Sequence, residues 1–304
     1  HYTVLKKESI EALNIKSDGI YVDATLGYAG DASEILKRIK RGFLFAFDRD
    51  IDAIRYSEKV LSSISDRYKI VHSAFSSLSL KLQEEGISKV DGILFDLGVS
   101  SPQLDENRGF SFMRDEVLDM RMNQDDKKTA QDVLNTYSFE ELKTIFYSYG
   151  EEKKSSFIAS EIVLAREKKP ITTTQELCSI ILKAVGAKYF YKTHPERNIF
   201  QAIRIEVNNE LKEIEKVLPE AISLLNPGGR LAVVTFHSLE DRIVKRVFKK
   251  YSEVDRLVKG LPEIPEEYKP MVRLVNKKPI VPSKEELNEN SRSASAKLRI
   301  VERL

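Results

Sequence analysis

A chain of 304 residues with 41% hydrophobic and 32% charged side chains has the make-up of a soluble globular protein, long enough for about two units or one core with a large insertion. No apolar run approaches the roughly 20 residues of a membrane span, no secretory signal is visible, and the single cysteine, Cys178, excludes an internal disulfide and a cysteine-built zinc site. Net charge is only +2, yet residues 245 to 304 hold 15 Lys or Arg against 9 Asp or Glu, the kind of basic end that meets polyanions.

His1, His72, His194 and His237 lie far apart without ligand spacing, so no metal is expected, and the expected compartment is the cytoplasm. The chain opens at His1 rather than Met, so a few native residues are expected ahead of it.

In chain order, Ile20-Tyr-Val22 reads as a buried strand that ends at Asp23. Gly27 and Gly30 bracket a tight turn, and Glu34, Ile35, Leu36 and Ile39 begin a helical pattern. Phe43 to Phe47 is the next strand, ending in Asp48-Arg-Asp50. An acid about 20 positions beyond a glycine turn is where such folds hold a ribose, so Asp48 is the candidate clamp. The Gly-Tyr-Ala-Gly turn lacks the glycine spacing that seats a pyrophosphate, and Asp23 and Asp31 would repel one. These features argue against NAD or FAD. They suit S-adenosylmethionine, whose ammonium and sulfonium can face carboxylates.

A helix over Asp52 to Leu61 leads to a third strand, Tyr68 to His72, ending near Phe75. Leu78 to Glu85 is helical with Gly86 as its stop, and Val90 to Phe95 is a fourth strand that leads into Asp96-Leu-Gly-Val-Ser-Ser-Pro-Gln103. Alternating strands and helices predict an α/β fold on a parallel sheet with ligands beyond the strand C-termini, where Thr25, Asp48, Phe75 and Asp96 all fall.

From Asp105 the rhythm changes to helical patterns around 130–135, 139–147, 155–167 and 174–184, read as an insertion that splits the sheet. Lys188-Tyr-Phe-Tyr-Lys-Thr-His-Pro195 reads as an aromatic and basic connector. A long helix from Phe200 to Leu225 carries Pro219, which predicts a kink or break there. Asn226 to Arg230 is a turn, Leu231 to Phe236 a strand, and His237 opens the next helix; residues 252 to 304 read as loop-rich with a basic tail. The boundaries that follow are 1–104 and 199–304 for the split core and 105–198 for the inserted helical substrate-recognition domain.

Several long motifs coincide in this order: Val4-Leu5 with Glu8, Asp23-Ala-Thr-Leu-Gly27, Asp48-Arg-Asp50, Phe95-Asp-Leu-Gly-Val-Ser-Ser-Pro-Gln-Leu104, Arg108-Gly-Phe-Ser-Phe-Met-Arg114 and Leu118-Asp-Met-Arg-Met122. Phe200-Gln-Ala-Ile-Arg-Ile205, Val207-Asn208, Glu210-Leu211, Pro227-Gly-Gly-Arg-Leu231, Phe236-His-Ser-Leu-Glu-Asp-Arg-Ile-Val-Lys245 and Ser295-Ala-Lys-Leu-Arg299 complete the set. Over essentially its whole length the chain resembles the bacterial 16S ribosomal RNA cytosine-N4 methyltransferases (the RsmH or MraW family).

That resemblance implies a Rossmann-like class I S-adenosylmethionine-dependent methyltransferase core with an inserted helical domain. It implies donor contacts at Ala29, Gly30, Asp31, Asp48, Phe75, Asp96 and Gln103. It also implies 16S rRNA as substrate, in the decoding region of the small ribosomal subunit, assembled or nearly so. The sequence departs from the family pattern over Tyr28 to Ala32, where Asp31 stands in place of a histidine. Over Arg197-Asn198-Ile199 the arginine is displaced by one position, and Ala294 stands where an arginine is common.

The cytosine amine shares its lone pair with the ring and is a poor nucleophile, so the site needs in-line placement and an acceptor for the amine hydrogens. Asp96, or a backbone carbonyl beside it, is the first candidate and His237 the second. Phe110, Phe112 or Tyr28 are candidates to stack on the base. Arg108, Arg114, Arg121, Arg204, Arg242, Arg292, Lys297 and Arg299 are candidate RNA contacts, with Asp119 and Glu240 as nearby partners of opposite sign. The competing readings are a methyltransferase for another RNA or for DNA, a non-catalytic or weakly active ribosome-assembly protein, and, more remotely, an NAD-dependent enzyme. The oligomeric state stays open, a homodimer included.

Overall fold

The computed structural model describes residues 3–98 and 107–304, the Arg292 side chain excepted. It divides the chain into two units, one of His1–Gly98 with Leu211–Leu304 and one of Val99–Glu210. The first unit begins with helix α1 (Lys6–Ala12), then strand β1 (Ile20–Asp23), α2 (Gly30–Arg38), β2 (Phe43–Asp48), α3 (Ile51–Ser62), β3 (Tyr68–His72), α4 (Leu78–Glu84) and β4 (Val90–Asp96). The strands are near-continuous apolar runs because both faces of the sheet are covered. Tyr21, Leu44 and Ala46 face one core with Ile10, Leu13, Ile35 and Leu36, while Val22, Phe45 and Phe47 face a second core with Leu78 and Leu82. This alternation is the period-2 geometry of a strand.

The second unit is helical: α5 (Ala130–Thr136), α6 (Phe139–Ser148), α7 (Ser155–Lys168), α8 (Thr174–Val185), α9 (Ala187–Thr193) and α10 (Pro195–Asn208). Thr129, Ser138 and Thr173 each cap a helix, with Asp132, Glu141 and Glu176 returning the bond in complete capping boxes. The stretch read as a connector is helix α9, which stops at His194 with a left-handed φ of 49°, and Pro195 starts the next helix at the position proline favours. The boundary drawn at residue 198 falls inside α10. That helix stays whole in the second unit because Ile199, Phe200, Ala202, Ile203 and Val207 belong to its core.

The chain then continues through α11 (Glu210–Leu224), β5 (Leu225–Thr235), α12 (Ser238–Ser252), β6 (Val272–Leu274), α13 (Lys284–Glu289) and β7 (Lys297–Arg303). The helical run breaks at Asn209, whose φ is 55°, and not at Pro219, which sits inside an uninterrupted α11. Burial explains this. Ile214, Val217, Leu218, Ala221 and Ile222 all face the core, and roughly 1.5–3 kcal/mol for each large one outweighs the bond that proline cannot donate. Asparagine tolerates the left-handed conformation better than most residues.

The seven strands run in the order β3-β2-β1-β4-β5-β7-β6. Strands β1 to β5 pair in parallel, and β7 is antiparallel to both β5 and β6. The end read as a basic tail is therefore partly sheet: Leu298, Ile300 and Val301 of β7 are buried. No helix among the described residues is long and apolar enough to cross a membrane.

Candidate functional site

Strand order reverses between β1 and β4, the neighbours from which the chain winds outward in both directions. Ligands of such sheets bind at this switch point, beyond the carboxyl ends of the strands. Three of these strands end in an acid: Asp23 on β1, Asp48 on β2 and Asp96 on β4.

Backbone hydrogen bonds fix the loop after β1. Ala24 N donates to Leu94 O at 2.9 Å and Leu26 N to Phe47 O at 2.8 Å, while Thr25 Oγ1 accepts from Asp96 N at 2.6 Å. The turn needs left-handed backbone at Gly27 (φ 50°) and again at Ala29 (φ 61°). Glycine enters that region freely and alanine only under constraint, and Ala29 is buried. Asp48 holds the turn from the side, with Gly27 N donating to Oδ2 at 2.8 Å and Asp50 N to Oδ1 at 2.9 Å. Ser57 of α3 closes it, its hydroxyl donating to Gly27 O at 2.8 Å. A side chain at Gly30 would place its Cβ 1.9 Å from Thr3 Oγ1.

Electrostatically, this edge is loaded against itself. Asp23 is 1% exposed and Asp31, in the first turn of α2, 6%. Asp96 is partly exposed as a residue, but its Oδ1 is buried. Asp23 Oδ2, Asp31 Oδ1 and Asp96 Oδ1 are buried acceptors with no hydrogen-bond partner among the described residues. Burial pushes Asp23 up to about 7, its amide bond from Thr25 pulling down and the charge of Asp48 pushing up. Burial, then the charges of Asp96 and Asp23, hold Asp31 well above the ordinary carboxylate range. Asp96 rises to about 8, by burial first and then by Asp23 and Glu240. Asp48, half-buried, rises to about 6 because desolvation outweighs the two amides it holds.

Orphaned buried acceptors of one sign call for a ligand that brings positive charge and N–H donors. The ammonium and sulfonium of S-adenosylmethionine match that demand, and a pyrophosphate would add to the repulsion. Phe75 opens the short 3-10 turn just beyond β3, in edge-to-face contact with Phe95, ring centroids 5.5 Å apart. The expected donor contacts Ala29, Gly30, Asp31, Asp48, Phe75 and Asp96 therefore fall at the C-terminal edge of one sheet. Gln103 lies outside the described residues.

His237 caps α12. Its Nδ1 accepts from Glu240 N at 3.4 Å, and Glu240 returns the bond to complete a capping box. His237 Nε2 lies 3.1 Å from Glu240 Oε1. The imidazole is thus held at the start of α12 by the Glu240 amide, beside the fully buried carboxylate whose charge also raises Asp96.

Four of the eight expected RNA-contacting cations sit in structural pairs with carboxylates. Arg121 forks onto Asp119 at 2.7 and 2.8 Å, and Arg204 onto Glu210 at 2.8 and 3.0 Å. Arg299 forks onto Asp241 at 2.7 and 3.1 Å, with Lys297 3.5 Å from the same carboxylate. Arg108 donates to Arg121 O and lies over the Phe110 ring. Arg114 and Arg242 are exposed, and the Arg292 side chain lies outside the description. Phe110 and Phe112 pack in the helical core, Phe112 edge-on to Phe200, and Tyr28 packs on Tyr56 at 5.1 Å.

Two acids that matter here were not among the residues singled out as donor contacts. Asp23 was legible as a strand-ending acid; the burial of its free oxygen was not. The sequence marks Glu240 only as a partner for an arginine; its complete burial comes from packing.

The sequence profile of the MraW methylase family matches residues 1–304. Among solved structures, the chain is similar to an rRNA methylase from Streptococcus thermophilus, with 11% identity, coverage of 98% of this chain and 93% of that one, and a TM-score of 0.44. It is similar also to a proposed rRNA-methylase from Clostridium thermocellum, 14% identical with both chains fully covered and a TM-score of 0.43. A proposed methyltransferase from Streptococcus mutans in complex with SAH is 11% identical, again with full coverage of both chains and a TM-score of 0.46.

Proposed function

The chain belongs to the MraW methylase family, with S-adenosylmethionine as methyl donor, and on that premise we propose that it methylates N4 of a cytosine in 16S rRNA, in the decoding region of the small ribosomal subunit. The observation that carries the reading is the set of buried oxygens on Asp23, Asp31 and Asp96 at the switch point that have no hydrogen-bond partner among the described residues. Asp31 and Asp96 face the positive end of the donor, Asp48 its ribose and Phe75 its base. Gly27, Ala29 and Gly30 let the backbone come close. The donor supplies a methyl group on sulfonium, which leaves a neutral thioether when transferred.

The acceptor amine must give up a proton in the same reaction. Asp96 takes the role of acceptor, since a carboxyl that titrates near neutrality is matched to that task. His237, held by Glu240, is the second residue of this site and orients or receives the base. The cytosine must leave its stack, at a cost of a few kcal/mol.

Labelled methyl transfer to small subunits that lack the modification, followed by nucleoside analysis, tests the reading. N4-methylated cytidine supports it. Donor binding without any labelled RNA would favour a non-catalytic ribosome-binding protein. Asp96→Asn with full turnover would remove the carboxylate from the chemistry.

A further inference from the structure

The connector motif of the sequence is absorbed by nothing in the donor site. As helix α9 it carries Lys188, Tyr191 and Lys192 at spacings i, i+3 and i+4, which lie on one face. All three are exposed, Tyr191 at 67%. Neither lysine has a carboxylate partner among the described residues, nor does Arg197, which is exposed just beyond. Glu196 is the only acid from Gly186 to Arg197; it is buried and bonded to His194 Nδ1 at 2.9 Å.

This face rests on a rigid seat. Glu152 is 1% exposed, and its Oε1 accepts from the Tyr189 hydroxyl at 2.6 Å and from Lys154 N at 2.9 Å. Its Oε2 accepts from Asn198 Nδ2 at 3.0 Å. One buried carboxylate thus ties the turn before α7, helix α9 and the start of α10. Lys154 lies 4.3 Å over the Tyr189 ring, and Phe190 meets Tyr191 edge-on at 5.3 Å. Asn198 serves Glu152, and the arginine at position 197 is exposed.

We propose that Lys188, Tyr191 and Lys192, flanked by Arg197, form a docking face for single-stranded RNA. The lysines meet phosphates and Tyr191 offers its ring to an unstacked base. Exposed cations around an exposed aromatic are the arrangement that holds single strands, since every base has a π-face and every phosphate a charge. A duplex would use the lysines and leave Tyr191 idle. The inference rests on the RNA-methylating function proposed above and extends it to the recognition surface.

The test is binding of the full chain to a labelled single-stranded cytidine-rich RNA and to a duplex of equal length across a salt series. Lys188→Gln/Lys192→Gln should lower the salt slope by about 1.4 for the single strand, or roughly 0.7 per phosphate contact. Tyr191→Ala should weaken single-strand binding on the order of 10-fold at an unchanged slope and leave duplex binding alone. Both changes are on the surface, and thermal melts should match the parent. Wild-type affinity and slope in the double variant would overturn the proposal, as would tighter capture by anionic phospholipid vesicles than by RNA. Loss of RNA binding on these substitutions in a protein that transfers no methyl group would keep the docking face and defeat the catalytic reading. Intact binding in the variants of an active enzyme would do the reverse.

Discussion

Asp23→Asn removes a charge from the most crowded point of the site without changing its shape. Burial raises Asp23 from an ordinary 3.8 to about 7. With each pKa unit about 1.4 kcal/mol, ionising it in the folded state costs on the order of 4 kcal/mol at pH 8 and roughly 1–2 kcal/mol at pH 5. The sign follows from the raised value: the group's contribution is complete below pH 4 and is lost as pH rises towards 7. The amide cannot ionise, and its oxygen still accepts from Thr25 N, a 3.1 Å bond in the parent. Without donor, the Asp23→Asn variant should therefore be more stable than the parent at pH 8, by about 2–4 kcal/mol, with a gain that shrinks towards pH 5. Its affinity for S-adenosylmethionine should fall, the usual exchange of stability against a strained site. Urea melts at pH 5, 6.5 and 8, with and without donor, read both effects. A gain that does not depend on pH, or a loss at pH 8, would refute the claim that Asp23 is buried against its own charge.

Selectivity for the cationic donor over the neutral-sulfur product should rise several-fold between pH 6 and 8, as Asp96 ionises; titration calorimetry giving a flat ratio would count against its facing the sulfonium. Arg299→Ala leaves the buried Asp241 carboxylate with Lys297 alone and removes the forked pair that helps hold it below its ordinary range; it should cost about 1.5–3 kcal/mol by denaturant melts while leaving the RNA salt slope unchanged. A changed slope at unchanged stability would return Arg299 to the RNA contacts. Asn209→Val forces a β-branched residue into left-handed backbone and should destabilise by about 1–2 kcal/mol, whereas Asn209→Gly should be close to neutral. Equal melts for these two would mean that the break between α10 and α11 is placed elsewhere.

Much of the fold was legible in the sequence because its signals are local. Apolar runs that end in Asp23, Asp48 and Asp96 are strands whatever surrounds them, and Thr or Ser three residues ahead of Asp or Glu marks a helix start by its own chemistry. The glycine turn with an acid some 20 residues later named Asp48, and the structure gives that carboxylate two turn amides to hold. The alternation in Lys297-Leu-Arg-Ile300 was also there to read, but its cations, with Arg292 just upstream, looked like a tail.

Other features depended on neighbours distant in sequence. Whether Pro219 breaks a helix is decided by the core that grips its flanks, and helix α9 is tied in place through Tyr189 by Glu152, far upstream. Which arginines are spent on carboxylates, and which lysines stay in solvent, follows from side chains that only folding brings together. The sequence by itself determined the alternating strands and helices from β1 to β4, the family motifs and the acids at the strand ends, since each is carried by residues adjacent in the chain. The tertiary structure decided that Asp23, Asp31 and Asp96 share one dry edge, each with an oxygen cut off from water. Desolvation and mutual repulsion act through space, and a list of residues carries neither.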